Sequence, residues 1–125
     1  MSGSDNLQGI DLDWFAKDCS GNVALFATAG EGFIPQHVLS THELHEQVSQ
    51  AFVTPNWGSK LVWSDYANAG LYVYDWSGNS YKLVAVPNKA SATPVQSLAH
   101  EALPKFAFTF ALTPSITANM LANVA

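Results

Sequence analysis

The turn sequence Ser-Gly-Asn occurs twice in this chain, at positions 20–22 and 77–79, and it constrains the fold more than any other feature. Each copy follows an Asp-Trp pair, at 13–14 and at 75–76, and each precedes an apolar run. Gly and Asn tolerate the positive φ angles of tight turns, so Gly-Asn between apolar runs is typical of a β-hairpin. The sequence therefore predicts two antiparallel hairpins. Because the two loops differ in length, we interpret the shared turn residues as arising independently in each hairpin and not from an internal duplication.

The clearest helix signal lies at about residues 40–52. Ser40 and the glutamate three residues later have the spacing of a capping box, in which two side chains satisfy free N–H groups at a helix start. Leu44, Val48 and Phe52 recur at the spacing of one helix face, and a proline follows soon afterwards. These residues predict an amphipathic helix with one face against a sheet.

Further along the chain, the pattern predicts short strands and a second helix. Residues 60–64 are interpreted as a short strand and 65–70 as a turn, while 94–104 stays open between a short helix and an extended connection. Phenylalanines alternate with small or polar residues over 106–112, which is typical of a strand with one face in the core. Ser115 has the position of a cap for a short C-terminal helix.

Together these elements predict an α+β fold. We expect an antiparallel β-sheet of about five to six strands, with the helix at about 40–52 packed on one face and a short C-terminal helix. The polar stretch 1–9 is predicted to be a flexible N-terminus. Residues 10–125 then make a single domain, which is long enough to bury its own core.

The chain carries few charges, and their distribution argues against several classes of partner. Charged residues make up 12% of the sequence, against roughly 25% in a typical protein. The formal net charge is −5, and the five basic residues are lysines spread singly along the chain. Nucleic acids and anionic membranes require clustered basic groups, so we expect neither as a partner. An acidic chain without arginine is better suited to a basic protein.

The cysteine content and the termini bear on location. Cys19 is the single cysteine, which rules out an intrachain disulfide and favours a reducing compartment. The polar first residues lack the apolar core of a signal peptide, and no apolar run approaches the ~18 residues of a membrane span. The sequence therefore predicts a cytoplasmic protein. It contains neither a phosphate-binding loop nor a nucleophile elbow, and we expect no cofactor.

Histidines and glutamates on the predicted helix are the main candidates for chemistry. His42, His45 and Glu46 would share one patch there, and His37 or His100 could add a fourth ligand for zinc. The spacing differs from the zinc-protease motif, which needs histidines four residues apart with glutamate directly after the first. One alternative is therefore a metal-dependent enzyme, and the other is a solvated helix face with a His/Glu pair.

Aromatic side chains crowd into residues 57–76 and give the stronger functional signal. One sheet face cannot bury them all, and exposed Trp and Tyr are common anchors of protein interfaces. Asp13 and Asp75 are expected to point to water, because strand alternation places them opposite inward-facing tryptophans. The residues that we predict to contact a partner are Glu31, Glu43, Glu46, Trp57, Asp65, Tyr66, Tyr72 and Tyr74.

Two segments of the chain carry a family resemblance. The first is Asp13-Trp14-Phe15-Ala16, with the glycines and the Ile34-Pro35 pair that follow. The second runs from Leu71-Tyr72-Val73-Tyr74-Asp75 to Tyr81-Lys82-Leu83-Val84-Ala85-Val86-Pro87. Both resemble a group of small bacterial proteins that includes immunity proteins encoded beside polymorphic or contact-dependent toxins. The likeness covers about half of the chain and ends near 97–103, where an Ala-His-Glu sequence stands in place of a Leu-Pro pair.

The resemblance implies a non-catalytic interaction protein, an immunity protein that binds a cognate basic toxin and occludes its active site. It carries no catalytic residues over to this chain. Two other functions stay open, namely a metal-dependent enzyme and a small-molecule-binding domain with a pocket under the loop at 30–35. The sequence does not indicate an oligomeric state.

Overall fold

An α+β fold is confirmed. The computed structural model describes residues 12–52, 54–87 and 102–122, and these form a five-stranded sheet with four helices. In chain order the elements are β1 (Asp13–Lys17), β2 (Val23–Ala27), α1 (Gln36–Ser40), α2 (His42–Gln50), α3 (Val62–Asn68), β3 (Tyr72–Ser77), β4 (Ser80–Ala85), a 3-10 turn (Phe110–Leu112), β5 (Ser115–Thr117) and α4 (Ala118–Ala122).

The two Ser-Gly-Asn turns form the two predicted hairpins, β1 with β2 and β3 with β4. Gly21 and Gly78 have φ angles of 87° and 72°, the left-handed conformation that glycine adopts without strain. β2 and β3 run parallel, because α1, α2 and α3 carry the chain back between them. The described sheet has the order β1-β2-β3-β4-β5 and is therefore mixed, with this pair as the departure from the antiparallel expectation.

One side of the sheet, called here the aromatic face, is built from large rings. Trp14 stacks on Phe26 with ring centroids 4.2 Å apart, and Phe26 stacks on Tyr74 at 4.9 Å. Tyr81 meets Trp14 edge-on and completes the fully buried set. This face packs against α1 and against the phenylalanines of residues 106–110.

The opposite side, called here the helical face, packs against α2 and α3. It carries Phe15, Leu25 and Val73, which meet Val48 of α2 and Tyr66 of α3 in a second core cluster. With both sides covered, β2 is buried at every position, which explains its continuously apolar sequence Val-Ala-Leu-Phe-Ala.

The prediction of a strand over 106–112 is wrong. Lys105 forms an isolated bridge with Lys17, and the chain then continues irregularly into the 3-10 turn. Its backbone bonds go to the first hairpin: Phe106 N–H donates to the Lys17 carbonyl at 2.9 Å, and Phe110 N–H donates to the Asp18 carboxylate at 3.1 Å. The alternating phenylalanines still fill the core, but a hairpin turn replaces a neighbouring strand as their partner.

The predicted helix at 40–52 is divided at Thr41. That residue has φ −125° and ψ 29°, which separates α1 from α2. The capping box does not form, because the hydroxyl of Ser40 donates back to the carbonyl of His37 at 3.0 Å. The hydroxyl of Thr41 also donates to the carbonyl of His37, at 2.7 Å. Both hydroxyls therefore bond to the end of α1 and not to the start of α2.

Two further boundaries also differ from prediction. Residues 60–64 do not form a strand, since α3 begins at Val62 and continues through most of the predicted turn. Ser115 lies in β5 instead of capping a helix, and the hydroxyl of Thr117 accepts the bond from Met120 N–H at the start of α4. The predictions for 1–9 and for most of 94–104 fall outside the described residues.

Candidate functional site

The repeated Asp-Trp pairs place two carboxylates on the same side of the sheet. Asp13 of β1 lies opposite Ala27 of β2, and Ala27 lies opposite Asp75 of β3. Directly paired residues point to the same face, so all three lie on the helical face while Trp14 is buried on the aromatic one. Strands are about 4.8 Å apart, which sets the two aspartate Cα atoms about 9.5 Å from each other.

These three residues form the floor of a cleft of about 440 Å³, called here the acidic cleft. Its walls come from the loop that precedes α3 and from α3 itself, with Trp57 and Lys60 on the first and Trp63 and Tyr66 on the second. Ala27 contributes only a methyl group between the two carboxylates. The cleft therefore exists because a small side chain separates two acidic ones beneath an aromatic wall.

A buried aspartate holds the loop that carries Trp57. Asp65 is only 9% exposed, and its two oxygens accept bonds of 2.9 Å from the backbone N–H and the side-chain amide of Asn56. Trp57 follows directly and is 73% exposed. Leu61, at the end of the same loop, is also largely exposed. The loop that Asp65 holds thus presents two large apolar side chains to solvent beside the cleft.

Tyr66 supplies a phenol group at the junction of cleft and core. Its side chain is buried and meets the ring of Phe52 edge-on at 5.8 Å. Burial, followed by the carboxylate of Asp13, raises the pKa of Tyr66 to about 12, with a hydrogen bond to Ser49 acting in the opposite direction. The hydroxyl is therefore protonated at neutral pH and can donate a hydrogen bond.

The residues predicted to contact a partner are distributed over several parts of the fold. Trp57 and Tyr66 line the acidic cleft, and Asp65 holds the loop that carries Trp57 through its bonds with Asn56. Tyr72 packs against Phe110 on the aromatic face. Tyr74 is fully buried there, and its hydroxyl donates to the carbonyl of Thr113 at 2.6 Å. Its position in the core leaves it no surface to offer a partner.

The three predicted glutamates lie at the surface. Glu31 and Glu43 are exposed on the loop after β2 and on α2. Glu46 is also exposed, and it borders a second, smaller cavity of about 170 Å³ together with Asp13. The two cavities share Asp13, so Glu46 extends the acidic surface beyond the cleft.

The structure does not bring the proposed zinc ligands together. His45 is fully buried, and its Nδ1 atom accepts a bond of 3.0 Å from Phe15 N–H, whereas Glu46 is exposed on the same helix. No group of three metal-binding side chains occurs in the part of the chain that the structure describes. His37 is half-buried on α1, and His100 lies outside the described residues.

The loop at 30–35, under which the sequence predicts a pocket, lies against the buried side chain of Tyr81. The space there is occupied by Tyr81, whose hydroxyl accepts a bond from Trp14 Nε1 at 3.1 Å and donates one to the Phe33 carbonyl at 2.7 Å. A Cβ atom added at Gly32 would lie 2.6 Å from that hydroxyl oxygen. The loop is thus packed directly on the aromatic face.

Sequence reasoning missed Asp13, Asp75 and Trp63 as members of a common site. The available signal was the repeated Asp-Trp pair, but its use depends on knowing that β2 lies between β1 and β3.

Comparison with protein-family models, with curated proteins and with solved structures finds no significant match to this chain. No helix within the described ranges combines the length and apolar character needed to cross a bilayer.

Proposed function

We propose that this chain is a non-catalytic interaction protein that binds a basic protein partner through the face bearing the acidic cleft. The observation that carries the proposal is Trp57, which is 73% exposed while its loop is fixed by Asp65. A large exposed aromatic side chain on a loop fixed in this way offers wide contact area with little ordering of the backbone on binding, which is the property of an interface hot spot.

Charge supports the same choice of partner. The chain has a formal net charge of −5, and Asp13 and Asp75 lie in the cleft beside the exposed tryptophan. Glu46 adds a further carboxylate on the adjoining cavity. Acidic groups around an aromatic anchor attract a basic surface and accelerate encounter with it.

The proposed partner is a cognate bacterial toxin, on the basis of the family resemblance of the two hairpin segments. Binding would occlude the toxin's basic active site, so protection requires no catalysis by this chain. The sequence between the two segments also forms the loop and helix of the cleft, which gives the proposal a surface on which it can be tested.

The test is co-expression with the toxin encoded by a neighbouring gene, followed by growth measurement and purification of the complex. We expect rescue of growth by the unchanged chain and at least about tenfold weaker binding by Trp57→Ser. Leu112→Ser is the matched control, because Leu112 is 84% exposed on the 3-10 turn and lies outside the cleft. Failure of both rescue and complex formation would reject the proposal.

A second candidate, a small-molecule-binding domain, is favoured by the size of the cleft. A volume of about 440 Å³ falls within the range of ligand pockets, and its apolar walls with a few polar groups have the usual composition. A metabolite panel followed by thermal unfolding tests it, since a ligand at about 100 times its Kd adds about 2.7 kcal/mol. A panel that leaves the melting temperature unchanged would count against it.

A further inference from the structure

We propose that His45 is an acid-sensitive switch: uptake of a proton by its imidazole releases α2 from the outer edge of β1, while the rest of the sheet stays folded. The switch goes beyond the proposed function and does not depend on it. Three observations carry it, namely the bond between His45 and Phe15, the burial of the imidazole, and the small number of other side chains that hold α2.

The bond between His45 and Phe15 requires a neutral imidazole. The Nδ1 atom of His45 accepts the hydrogen bond from Phe15 N–H at 3.0 Å, so the hydrogen of the neutral ring lies on Nε2. A second proton can bind only to Nδ1, where it would face the N–H group of Phe15. Two donors in direct opposition repel each other, so protonation of His45 and the bond to β1 exclude one another.

The surroundings of His45 do not compensate a charge on its ring. The ring is fully buried, and its Nε2 atom has no hydrogen-bond partner among the described residues. The titratable side chains on the elements around it are His37 on α1, Asp13 and Lys17 on β1, His42, Glu43 and Glu46 on α2, Asp65 and Tyr66 on α3, and Lys105 beside β1. Their net effect disfavours the charged form, because burial, followed by the positive charge of His37, lowers the pKa of His45 to about 4.

Few other side chains attach α2 to the sheet. The buried residues of this nine-residue helix are His45 and Val48. Phe52, just beyond its end, packs against Phe15 with ring centroids 6.0 Å apart. Local opening requires less free energy where few apolar side chains are buried. The loss of one buried contact therefore matters more for α2 than for β2, which is buried at every position.

The neighbours of α2 have attachments of their own. α1 packs on the aromatic face, and the irregular backbone of Thr41 separates it from α2. On the outer edge of β1, the backbone of Lys17 bonds to Pro104 and Phe106. β1 also pairs with β2 along its whole length. Release of α2 therefore exposes the N–H group of Phe15 and leaves the sheet in place.

The test is native-state hydrogen exchange of the purified chain, followed by NMR at about pH 7 and about pH 5. After correction for intrinsic exchange rates, the equilibrium constant for opening at Phe15 N–H and along α2 should rise about 20-fold at the lower pH. This factor follows from a pKa of His45 that is 6.5 in the released state and about 4 in the native state.

The dependence of exchange on urea separates local release from global unfolding. At about pH 5, low urea concentrations should hardly change exchange at Phe15 N–H and along α2, because release of one short helix exposes little surface. The amides of β2 should exchange more slowly and respond steeply to urea, because their exposure requires unfolding of the sheet.

Variants assign the effect to one histidine. His45→Gln keeps an acceptor for Phe15 N–H but cannot take up the proton, so the acid-induced rise in α2 opening should fall below about threefold. His42→Gln is the matched control, because it removes a titratable histidine from the same helix and leaves the bond to Phe15 intact. It should retain the full rise.

Two results would overturn the switch. One is an opening constant of α2 that does not rise on acidification, or that rises equally in His45→Gln. The other is exchange of α2 and β2 with the same protection and the same dependence on urea, since α2 would then leave only when the whole fold unfolds. If His45→Gln fails to fold, the pH and urea dependence of the unchanged chain decide the matter.

Discussion

The Nδ1 atom of His45 accepts a hydrogen bond from the backbone N–H of Phe15 at 3.0 Å, and the two rings lie nearly parallel. Within the described sheet β1 is an edge strand, so this N–H has no ladder partner. The imidazole of α2 thus occupies the outer edge of β1. The bond requires a lone pair on Nδ1, which an imidazolium does not have.

His45 should make stability depend on pH. Burial, followed by the nearby His37, lowers the pKa of His45 from 6.5 to about 4. The unfolded chain therefore takes up this proton below about pH 6.5, while the native chain takes it up only near pH 4. The contribution of His45 to the free energy of unfolding is fully present above about pH 6.5 and is lost as the pH falls to about 4. About 2 kcal/mol of this contribution is lost by about pH 5.

Urea unfolding at about pH 7 and about pH 5 measures that loss. His45→Gln keeps a side-chain acceptor for Phe15 but cannot titrate, so its free energy of unfolding should change much less between the two conditions. His42→Gln, on the same helix, should retain the full difference. An undiminished difference in His45→Gln would show that other groups cause the pH dependence.

Asp18 should be among the most costly turn residues to replace. Its fully buried carboxylate accepts bonds from the N–H groups of Ser20 and Asn22 at 2.9 Å and from Phe110 at 3.1 Å. Asp18→Ala leaves these donors without a partner and should lower the free energy of unfolding by about 3–5 kcal/mol. Asp18→Asn should fall in between, because one oxygen remains.

Chemical denaturation checks this series, with Glu43→Gln on the exposed side of α2 as the control for loss of one negative charge. That control should stay within about 0.5 kcal/mol of the unchanged chain. A similarly small effect of Asp18→Ala would mean that the carboxylate does not hold the turn.

Gly32 and Tyr81 should show energetic coupling. A Cβ atom at position 32 would lie 2.6 Å from the Tyr81 hydroxyl oxygen and 3.0 Å from the Thr28 Cα atom. Gly32→Ala should therefore cost about 1–3 kcal/mol by overpacking. Tyr81→Phe removes the closest of these atoms, so the double variant should be more stable than the sum of the single effects predicts. Additive free energies of unfolding in the double-mutant cycle would contradict this contact.

Asp65→Asn should release Trp57 without removing it. The amide group keeps the shape of the carboxylate but opposes a donor of Asn56 with a donor of its own. We expect greater mobility of the Trp57 indole in ¹⁵N relaxation measurements and weaker partner binding. The Trp63 indole on α3 should keep its relaxation rates and serves as the internal control. Unchanged Trp57 rates would show that the loop is ordered by other contacts.

The local elements that are bounded by turn-forming residues could be predicted from the sequence. Both hairpins follow from Gly-Asn turns between apolar runs, because positive φ at Gly21 and Gly78 is a property of the residues themselves. Apolar spacing likewise identified α2 closely. The break at Thr41 was missed, since hydroxyls that bond to the carbonyl of His37 compete with the capping box that the spacing suggested.

Features that depend on distant pairing could not be predicted. In the irregular segment 106–112, Phe110 N–H donates to the buried carboxylate of Asp18, a residue 92 positions away, and takes no part in a strand ladder. The acidic cleft depends on the parallel placement of β2 beside β3, which local periodicity does not encode. Aromatic clustering in the sequence predicts Trp57 and Tyr66 as contact residues, whereas strand alternation alone directs Asp13 and Asp75 to solvent.

The closure of β1 by residues 104–108 sets an order for assembly during synthesis. Lys17 exchanges backbone bonds with Pro104 and Phe106, and the bond from Phe110 to Asp18 spans 92 positions. A nascent chain therefore carries an unfinished strand edge until this late segment leaves the ribosome. Such an edge is the surface on which chains aggregate, so slow or interrupted translation ahead of residue 104 should be the stage at which this protein most needs a chaperone.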